Sequence, residues 1–411
     1  MHGLGVVVLG VLALVPLTGG GLLAKPAPPK PRPSAVVFLN SVGIDLHLAY
    51  GNTTYSRRQA VLDLLRELDV RHVHDAVPLE SDGLVKGLRA IARRRIGVTL
   101  VTRLKFGRQS VISAARRVVG ARLDGLEGPN ELDLSRQQDW RPHLVSYLRR
   151  LHKAMAKHRL RVPLVGPSFF DESYYGRIPN LRYDAASLHP YPGGLPPEDP
   201  LAQQVGRMRG FASGRPQWVT ETGYHNALGA LSGQPPVSER AAATYLPRLL
   251  LAAFANRVRR TFIYELLDEK PDPAGLDPEQ HFGLVRANLS PKPAFFAIRN
   301  LLSAVRSSPG SAPTPAPIPS ISSATPFDRV VLTRGDRSRV IAIWRPVSVW
   351  NQKLRMPVNP GAVPATLVWS RPVRDVTVFR PTQSDQPRMR MASAVTLGLS
   401  LEGDVVLVSY H

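Results

Sequence analysis

From Ala35 onward the apolar residues follow two spacings in turn: short runs of four or five, then longer stretches in which they recur every third or fourth position. Val36-Val37-Phe38-Leu39 through Gly43-Ile44-Asp45-Leu46-His47 reads as an opening strand, and Ser56 to Val70 as a helix with Val61, Leu64, Leu65 and Leu68 on one face. Arg71 to His74, Gly97 to Val101, Leu126 to Glu131, Val162 to Gly166, Ala185 to His189, Trp218 to Glu221 and Thr261 to Tyr264 continue the strands. Helical stretches fall between most of them, at Leu84 to Arg95, Val111 to Val119, Pro142 to His158 and Glu239 to Ala255, with a last one at Ala294 to Leu302. This alternation predicts the α/β class and a parallel (β/α)8 TIM barrel spanning 35–306.

The spacing then changes. Residues 307–326 are rich in Ser, Pro and Ala and read as a linker or a long surface crossing. Over 327–411 the period becomes two, in Arg329 to Leu332, Val340 to Trp344, Ala365 to Trp369, Val376 to Phe379, Val395 to Leu397 and Val405 to Val408. Short strands with turn residues between them predict a small all-β sandwich domain. Ahead of the barrel, the apolar run Leu4 to Leu17 with Leu22-Leu23-Ala24 reads as a signal peptide or N-terminal anchor over 1–24, although only His2 stands where such signals carry Lys or Arg. The Pro-rich stretch 25–34 is an extended tether. On this reading the protein is secreted, or resides in the periplasm or cell envelope, and it meets a membrane only if the N-terminal segment is retained.

Composition narrows the chemistry. The 411 residues are 43% hydrophobic, ample for one large core and one small one. Cysteine is absent, which excludes a disulfide framework, a thiolate nucleophile and a cysteine metal site. His72 and His74 lie two apart without a third ligand evident nearby, so no metal site is expected. The 53 Lys and Arg against 31 Asp and Glu give a net charge of +22, an excess that attracts anionic partners. Runs such as Arg93-Arg94-Arg95 and Arg116-Arg117 fall on helix faces with no basic-aromatic stripe beside them, so no specific nucleic acid is expected.

Two acidic residues end short apolar runs: Glu131, in Leu126-Glu127-Gly128-Pro129-Asn130-Glu131, and Glu221, in Trp218-Val219-Thr220-Glu221-Thr222-Gly223. They stand about 90 positions apart, roughly three βα units of a barrel, which assigns them to strands four and seven. Carboxylates at the carboxyl ends of two such strands meet in the barrel mouth and can flank one bond. Glu127 precedes Glu131 by an even number of positions, so a regular strand would put it on the same face, deeper and structural.

With Gly128-Pro129-Asn130-Glu131, Thr220-Glu221-Thr222-Gly223 and His189-Pro190-Tyr191 between them, the chain resembles the retaining clan A glycoside hydrolases. Within that clan it looks like the xylosidase-like and cellulase-like barrels that carry a C-terminal β-domain. The resemblance implies a retaining O-glycoside hydrolase working without a cofactor, with Glu131 as acid/base and Glu221 as nucleophile. It implies that Asn130 bonds the sugar 2-hydroxyl and that the Tyr191 hydroxyl holds the nucleophile. His47 and His74 end strands one and two, where inward polar residues meet the sugar. His189 could bond substrate or a carboxylate, or be structural. Many clan members have an arginine at the end of strand two and a tryptophan on strand eight; here His74 and Asp75 occupy the first place, with Arg103 a possible substitute, and Tyr264 and Glu265 the second. Tyr224, just past the nucleophile, could line a subsite, whereas Trp218 reads as core. The expected partner is an oligo- or polysaccharide, anionic ones included. The alternative is an inactive barrel serving as a glycan-binding or envelope-assembly protein.

Overall fold

The computed structural model describes residues 34–135, 138–306 and 314–411. The expected signal or anchor, the tether up to residue 33 and the start of the linker, 307–313, lie outside the described residues. Eight parallel strands form one sheet: β1 (Val42–Asp45), β2 (His72–Ala76), β3 (Gly97–Val101), β4 (Leu123–Glu127), β5 (Leu164–Val165), β6 (Ala186–Leu188), β7 (Gln217–Thr222) and β8 (Arg260–Ile263). Their order is β5-β4-β3-β2-β1-β8-β7-β6, and a parallel bridge between Val165 and Ala185 joins the two ends. This is the (β/α)8 barrel that the spacing of apolar residues predicts.

Nine α-helices are described: α1 (Ala35–Ser41), α2 (Arg58–Leu68), α3 (Asp82–Arg93), α4 (Arg108–Val118), α5 (Trp140–Lys157), α6 (Tyr174–Arg177), α7 (Glu198–Phe211), α8 (Glu239–Ala255) and α9 (Pro293–Arg306). Local chemistry sets several of their starts. The Ser81 hydroxyl accepts the Leu84 N–H to cap α3, and Ser238 accepts that of Ala241 to cap α8. Among the described residues no helix is long and apolar enough to cross a membrane.

Two features differ from the sequence expectation. Val36 to Leu39 is not strand but lies within α1, because Ala35, Phe38 and Leu39 are buried at helical spacing while Val36 and Val37 face solvent. Within the expected linker, Ser320–Ser323 is strand β9, since its backbone finds partners in Ala365 to Val368.

The C-terminal domain is antiparallel. It comprises β9, β10 (Asp328–Thr333), β11 (Arg339–Trp344), the short pair β12 (Trp350–Asn351) and β13 (Met356–Pro357), β14 (Val363–Phe379), β15 (Met389–Leu401) and β16 (Val406–Tyr410). The long strand β14 pairs with β9 in its first half and with β16 in its second, with a register shift in its pairing to β15 between Val368 and Val373. Leu367 and Trp369 from one half, Val376 and Val378 from the other, and Ile341, Ile343 and Val408 share one buried cluster, so the two halves cover a common core.

Buried cations join this domain to the barrel. Arg248 of α8 is fully buried; it makes two bonds to Glu198 of α7, at 2.8 and 2.7 Å, and donates to the carbonyls of Val347 and Gly403. Trp344 Nε1 donates to the same Glu198, at 2.8 Å. Arg334 donates to the carbonyls of Ala304 and Val305 in the last turn of α9, where a helix leaves acceptors unpaired. Removing one partner of a buried bidentate pair strands the other, at a cost of about 3–5 kcal/mol. Arg248→Ala is therefore expected to lower unfolding free energy by about that much in urea titrations; a loss under about 1 kcal/mol would place the interdomain hold elsewhere.

Candidate active site

Inside the barrel, inward side chains stack in layers. Phe262, Trp218, Val165 and Ala185 form an apolar middle layer. Gly43 of β1 leaves room for Phe262, whose ring carbon would stand 2.3 Å from a Cβ there. Above it lies a polar layer centred on Glu127, the last residue of β4 and fully buried. Glu127 Oε2 meets His74 Nε2 at 2.6 Å, and its Oε1 accepts the hydroxyls of Ser187 at 2.7 Å and Thr220 at 3.0 Å. The other nitrogen of His74 meets Asp45 Oδ1 at 2.6 Å. Burial opposes charge on both members of that pair. It pushes Asp45 up to about 7 against the pull of His74, while the carboxylates of Asp45 and Glu127 overcome it for His74 and lift the imidazole well above its ordinary range.

The two carboxylates singled out by the sequence sit above this layer. Glu131 does not end its strand: it lies four residues beyond β4, in the left-handed region at φ 40. A non-glycine residue there costs on the order of 1–2 kcal/mol. Ser168 holds the turn: its carbonyl and hydroxyl accept the Glu131 N–H, and the hydroxyl donates to Asn130 Oδ1 at 2.7 Å. Because Glu131 lies off the strand, its shared face with Glu127 does not follow from strand parity.

Glu221 lies on β7, where alternation would send it to the outer face with Val219. A register shift against β8 between Val219 and Thr222 breaks that alternation. Its Oε2 accepts the Tyr191 hydroxyl at 3.1 Å and lies 3.5 Å from His189 Nδ1. The same nitrogen is 2.7 Å from Glu131 Oε1. The nearest oxygens of the two carboxylates are therefore at most about 6 Å apart, comparable with the span needed to flank one glycosidic bond. His189 is nearly buried, and its Nε2 meets Thr220 Oγ1 at 3.1 Å. Burial works against its charge, but Glu221, Glu131 and Glu127 together push it up to about 9.

A second cluster closes the β1 and β8 side. His47 Nδ1 lies 2.9 Å from Glu269 Oε1 and 3.1 Å from Glu265 Oε2, and the Tyr55 hydroxyl donates to Glu265 at 2.8 Å. Burial raises Glu265 to about 7 despite the neighbouring imidazole. Against its own burial, Glu265 and Glu269 hold His47 well above its usual value. These three residues offer ligand atoms within 4.8 Å of one another and could hold a metal ion; His47 already bridges the two carboxylates, while Glu265 Oε1 is buried without a hydrogen-bond partner. The Tyr264 ring packs edge-on against His47 and Phe282, its hydroxyl donates to Glu279, and its peptide bond to Glu265 is cis.

A cavity of about 470 Å³ opens over these groups, lined among others by Asp45, His47, Tyr50, Asp75, Asn130 and Glu221. Of the residues named from sequence, Glu131, Glu221, Asn130, Tyr191, His189, His47, Tyr264 and Glu265 gather around this mouth. His74 belongs to its floor, both ring nitrogens already bonded. Tyr224 is not brought there: it is buried against Tyr245 of α8, with its hydroxyl on the Leu195 carbonyl. Arg103 lines the cavity but pairs with Glu80 at 2.8 Å, and the Glu221 carboxylate is met by Tyr191 and His189. Sequence reading passed over Asp45, Ser168, Ser187 and Thr220. Ser187 had a signal in hand, since it precedes His189 by two positions on one strand.

No protein-family model matches the chain, and no curated protein matches its sequence. Solved structures do resemble it. One is a GH39 enzyme from Xanthomonas axonopodis pv. citri, at 14% identity and TM-score 0.60, covering 92% of this chain and 95% of that one. Another is a monomeric β-xylosidase from Caulobacter crescentus, at 12% identity and TM-score 0.59, covering 92% and 97%. A third is a family 39 glycoside hydrolase from Bacteroides cellulosilyticus, at 14% identity and TM-score 0.56, covering 92% and 81%. At these identities the likeness establishes the fold, a parallel barrel followed by a β-domain.

Asp75 gives the pH dependence of this region a sign. It is buried, accepts the Leu48 and Ala76 N–H groups, and is raised by burial from 3.8 to about 7. Between those values the folded state binds the proton that the unfolded chain has released, so stability falls as pH rises through the window. Asp75→Asn removes that slope. Denaturant titrations from pH 4 to 7 should show the wild type losing stability relative to the variant; a constant difference would contradict the raised value.

Proposed function

We propose that the chain is an exported retaining O-glycoside hydrolase that cleaves a glycan by double displacement, with Glu131 as acid/base and Glu221 as nucleophile. One observation carries this reading: both carboxylates lie within reach of the same imidazole nitrogen, His189 Nδ1, at the carboxyl end of the barrel. A gap of about 6 Å or less suits direct attack by one carboxylate better than the wider spacing that accommodates a water. Glu221 attacks the anomeric carbon while Glu131 protonates the leaving oxygen; water then cleaves the glycosyl ester with Glu131 as base.

In this reading Asn130, at the cavity wall, bonds the sugar 2-hydroxyl, and Tyr191, which donates to Glu221, orients the nucleophile. His47 lines the cavity and offers a group to bond a sugar hydroxyl, with Glu265 and Tyr264 packed behind it in the roles this reading gives them. The fold shared with GH39 structures supports the reading without choosing the sugar. Arg103 and Lys105 at the rim and the net charge of +22 are the reason to include anionic glycans among the substrates. Export rests on the apolar run Leu4 to Leu17, with which the absence of cysteine is compatible.

The test is a panel of aryl glycosides and envelope polysaccharides, with variants of both carboxylates. Glu221→Gln is expected to abolish turnover. Glu131→Gln is expected to retain most activity on dinitrophenyl glycosides and to lose about 10²–10⁴-fold on unactivated ones, since only the latter need a proton. Equal losses on both substrate types would remove Glu131 from the acid role. Glycan binding without turnover of any substrate would favour the inactive-barrel alternative.

A further inference from the structure

We propose that His189 stores the proton used by Glu131 and yields it as Glu221 loses its charge, and that Glu127, acting through Thr220, keeps His189 in the one tautomer that permits this. The inference rests on the hydrolase reading and deepens it. His189 acts through Glu131 and is a positioning residue.

Direction in the hydrogen bonds supplies the argument. Glu127 Oε1 is the acceptor toward which the hydroxyls of Ser187 and Thr220 point. Ser187 and Thr220 also lie 2.5 Å from each other, and in either arrangement the Thr220 proton is committed to the Glu127 side. Thr220 Oγ1 can therefore only accept from His189, which places a proton on Nε2. Nδ1 becomes the variable site, with Glu131 at 2.7 Å and Glu221 at 3.5 Å. A proton on that axis is shared between His189 and Glu131.

The groups facing His189 favour its cation while Glu221 is ionised. They are Glu131 after β4, Glu127 on β4, and Glu221 on β7, itself bonded to Tyr191; beyond Glu127 stand His74 on β2 and Asp45 on β1. When Glu221 forms its bond to the anomeric carbon and the bond to the leaving oxygen breaks, one negative charge beside the imidazolium disappears. The Nδ1 proton then moves to Glu131 while Glu131 gives a proton to the leaving oxygen, leaving neutral His189 and an ionised Glu131. In the second half, water attacks the anomeric carbon, Glu131 takes its proton and returns one to Nδ1, and Glu221 departs as a carboxylate. Charge and protons balance over the cycle.

The full chain labelled with ¹⁵N-histidine tests this without any substrate, His189→Gln assigning the signal. At pH 7 both His189 nitrogens should carry protons, and Glu221→Gln should lower the midpoint of its titration by about one pH unit or more. In Thr220→Val the neutral form should no longer be confined to the Nε2 tautomer, whereas Thr220→Ser should restore it. A neutral His189 at pH 7 in the wild type, or a midpoint unmoved by Glu221→Gln, overturns the proposal.

Kinetics give the second readout on any nitrophenyl glycoside the panel yields. Thr220→Val should lower kcat about tenfold for poor leaving groups, leave KM unchanged and shift the alkaline limb to lower pH. Equal losses for good and poor leaving groups with an unmoved limb would mean a packing role. Should no glycoside be turned over, the hydrolase reading falls, and the NMR still decides where the proton resides.

Discussion

A carboxylate buried at the centre of a closed barrel needs donors on its oxygens, since an unpaired buried ion costs several kcal/mol. Glu127 is such a group, and its donors come from β2, β6 and β7 through His74, Ser187 and Thr220. Asp45 of β1 completes the set from the far side of His74. Five strands that are distant in sequence must therefore adopt one relative register, because a shift of a single residue would turn these side chains to the outer face. The polar layer thus fixes the height and rotation of the strands whose ends carry Glu131, His189 and Glu221. Site geometry follows from the satisfaction of one buried charge.

That layer was largely illegible in the sequence, for a physical reason. Local periodicity reports which face of an element is apolar, and it located β3 and α8 at their observed bounds. It failed for α1, where two exposed valines imitate a strand, and it passed over α7, whose Leu201, Val205 and Met208 do carry helical spacing. The carboxylate pair was legible because barrel repeats have a regular length and a fixed functional end. Ser187 carried only its parity with His189, and Thr220 no comparable signal: a lone hydroxyl on a strand gains its role only once a distant carboxylate is known to lie opposite. Nor could sequence show that Glu131 leaves the strand in a left-handed turn, or that an irregular register turns Glu221 inward.

Charge is distributed against the overall balance. The chain is strongly basic, yet the mouth gathers Asp45, Asp75, Glu131, Glu221, Glu265 and Glu269, while Arg93 to Arg95, Arg116 and Arg117 lie exposed on or beside outer helices. Crowded acids in a low-dielectric floor raise one another's proton affinity and that of the imidazoles between them. The three inward histidines, His47, His74 and His189, each lie between two carboxylates and are each pushed upward. Near neutral pH the imidazolium cations therefore lie among carboxyl groups of which Asp45, Asp75 and Glu265, raised to about 7, are partly protonated, and the mouth holds many acidic groups without mutual expulsion. The outer basic surface acts at a distance, where salt screens it.

The site also sits beside the barrel's weakest seam. Strands β5 and β6 are two and three residues long and share a single bridge, so backbone pairing alone fixes little between them. Side chains take over that task. The Tyr175 hydroxyl accepts the Ser187 N–H and donates to the Pro167 carbonyl, both at 2.8 Å, while Ser168 on the β5 side holds the turn at Glu131. A Cβ on Gly166 would collide with that hydroxyl, so the glycine is what allows Tyr175 to span the gap. Glu131 comes from one side of the seam, and His189 and Tyr191 from the other. Their spacing thus depends on one tyrosine and one serine as much as on the sheet. The backbone bonds that do cross the seam, from Gly166 N–H to the Ala185 carbonyl and from Asp184 N–H to the Leu164 carbonyl, both at 2.7 Å, act with these side chains to set the distance at which Glu131 meets His189.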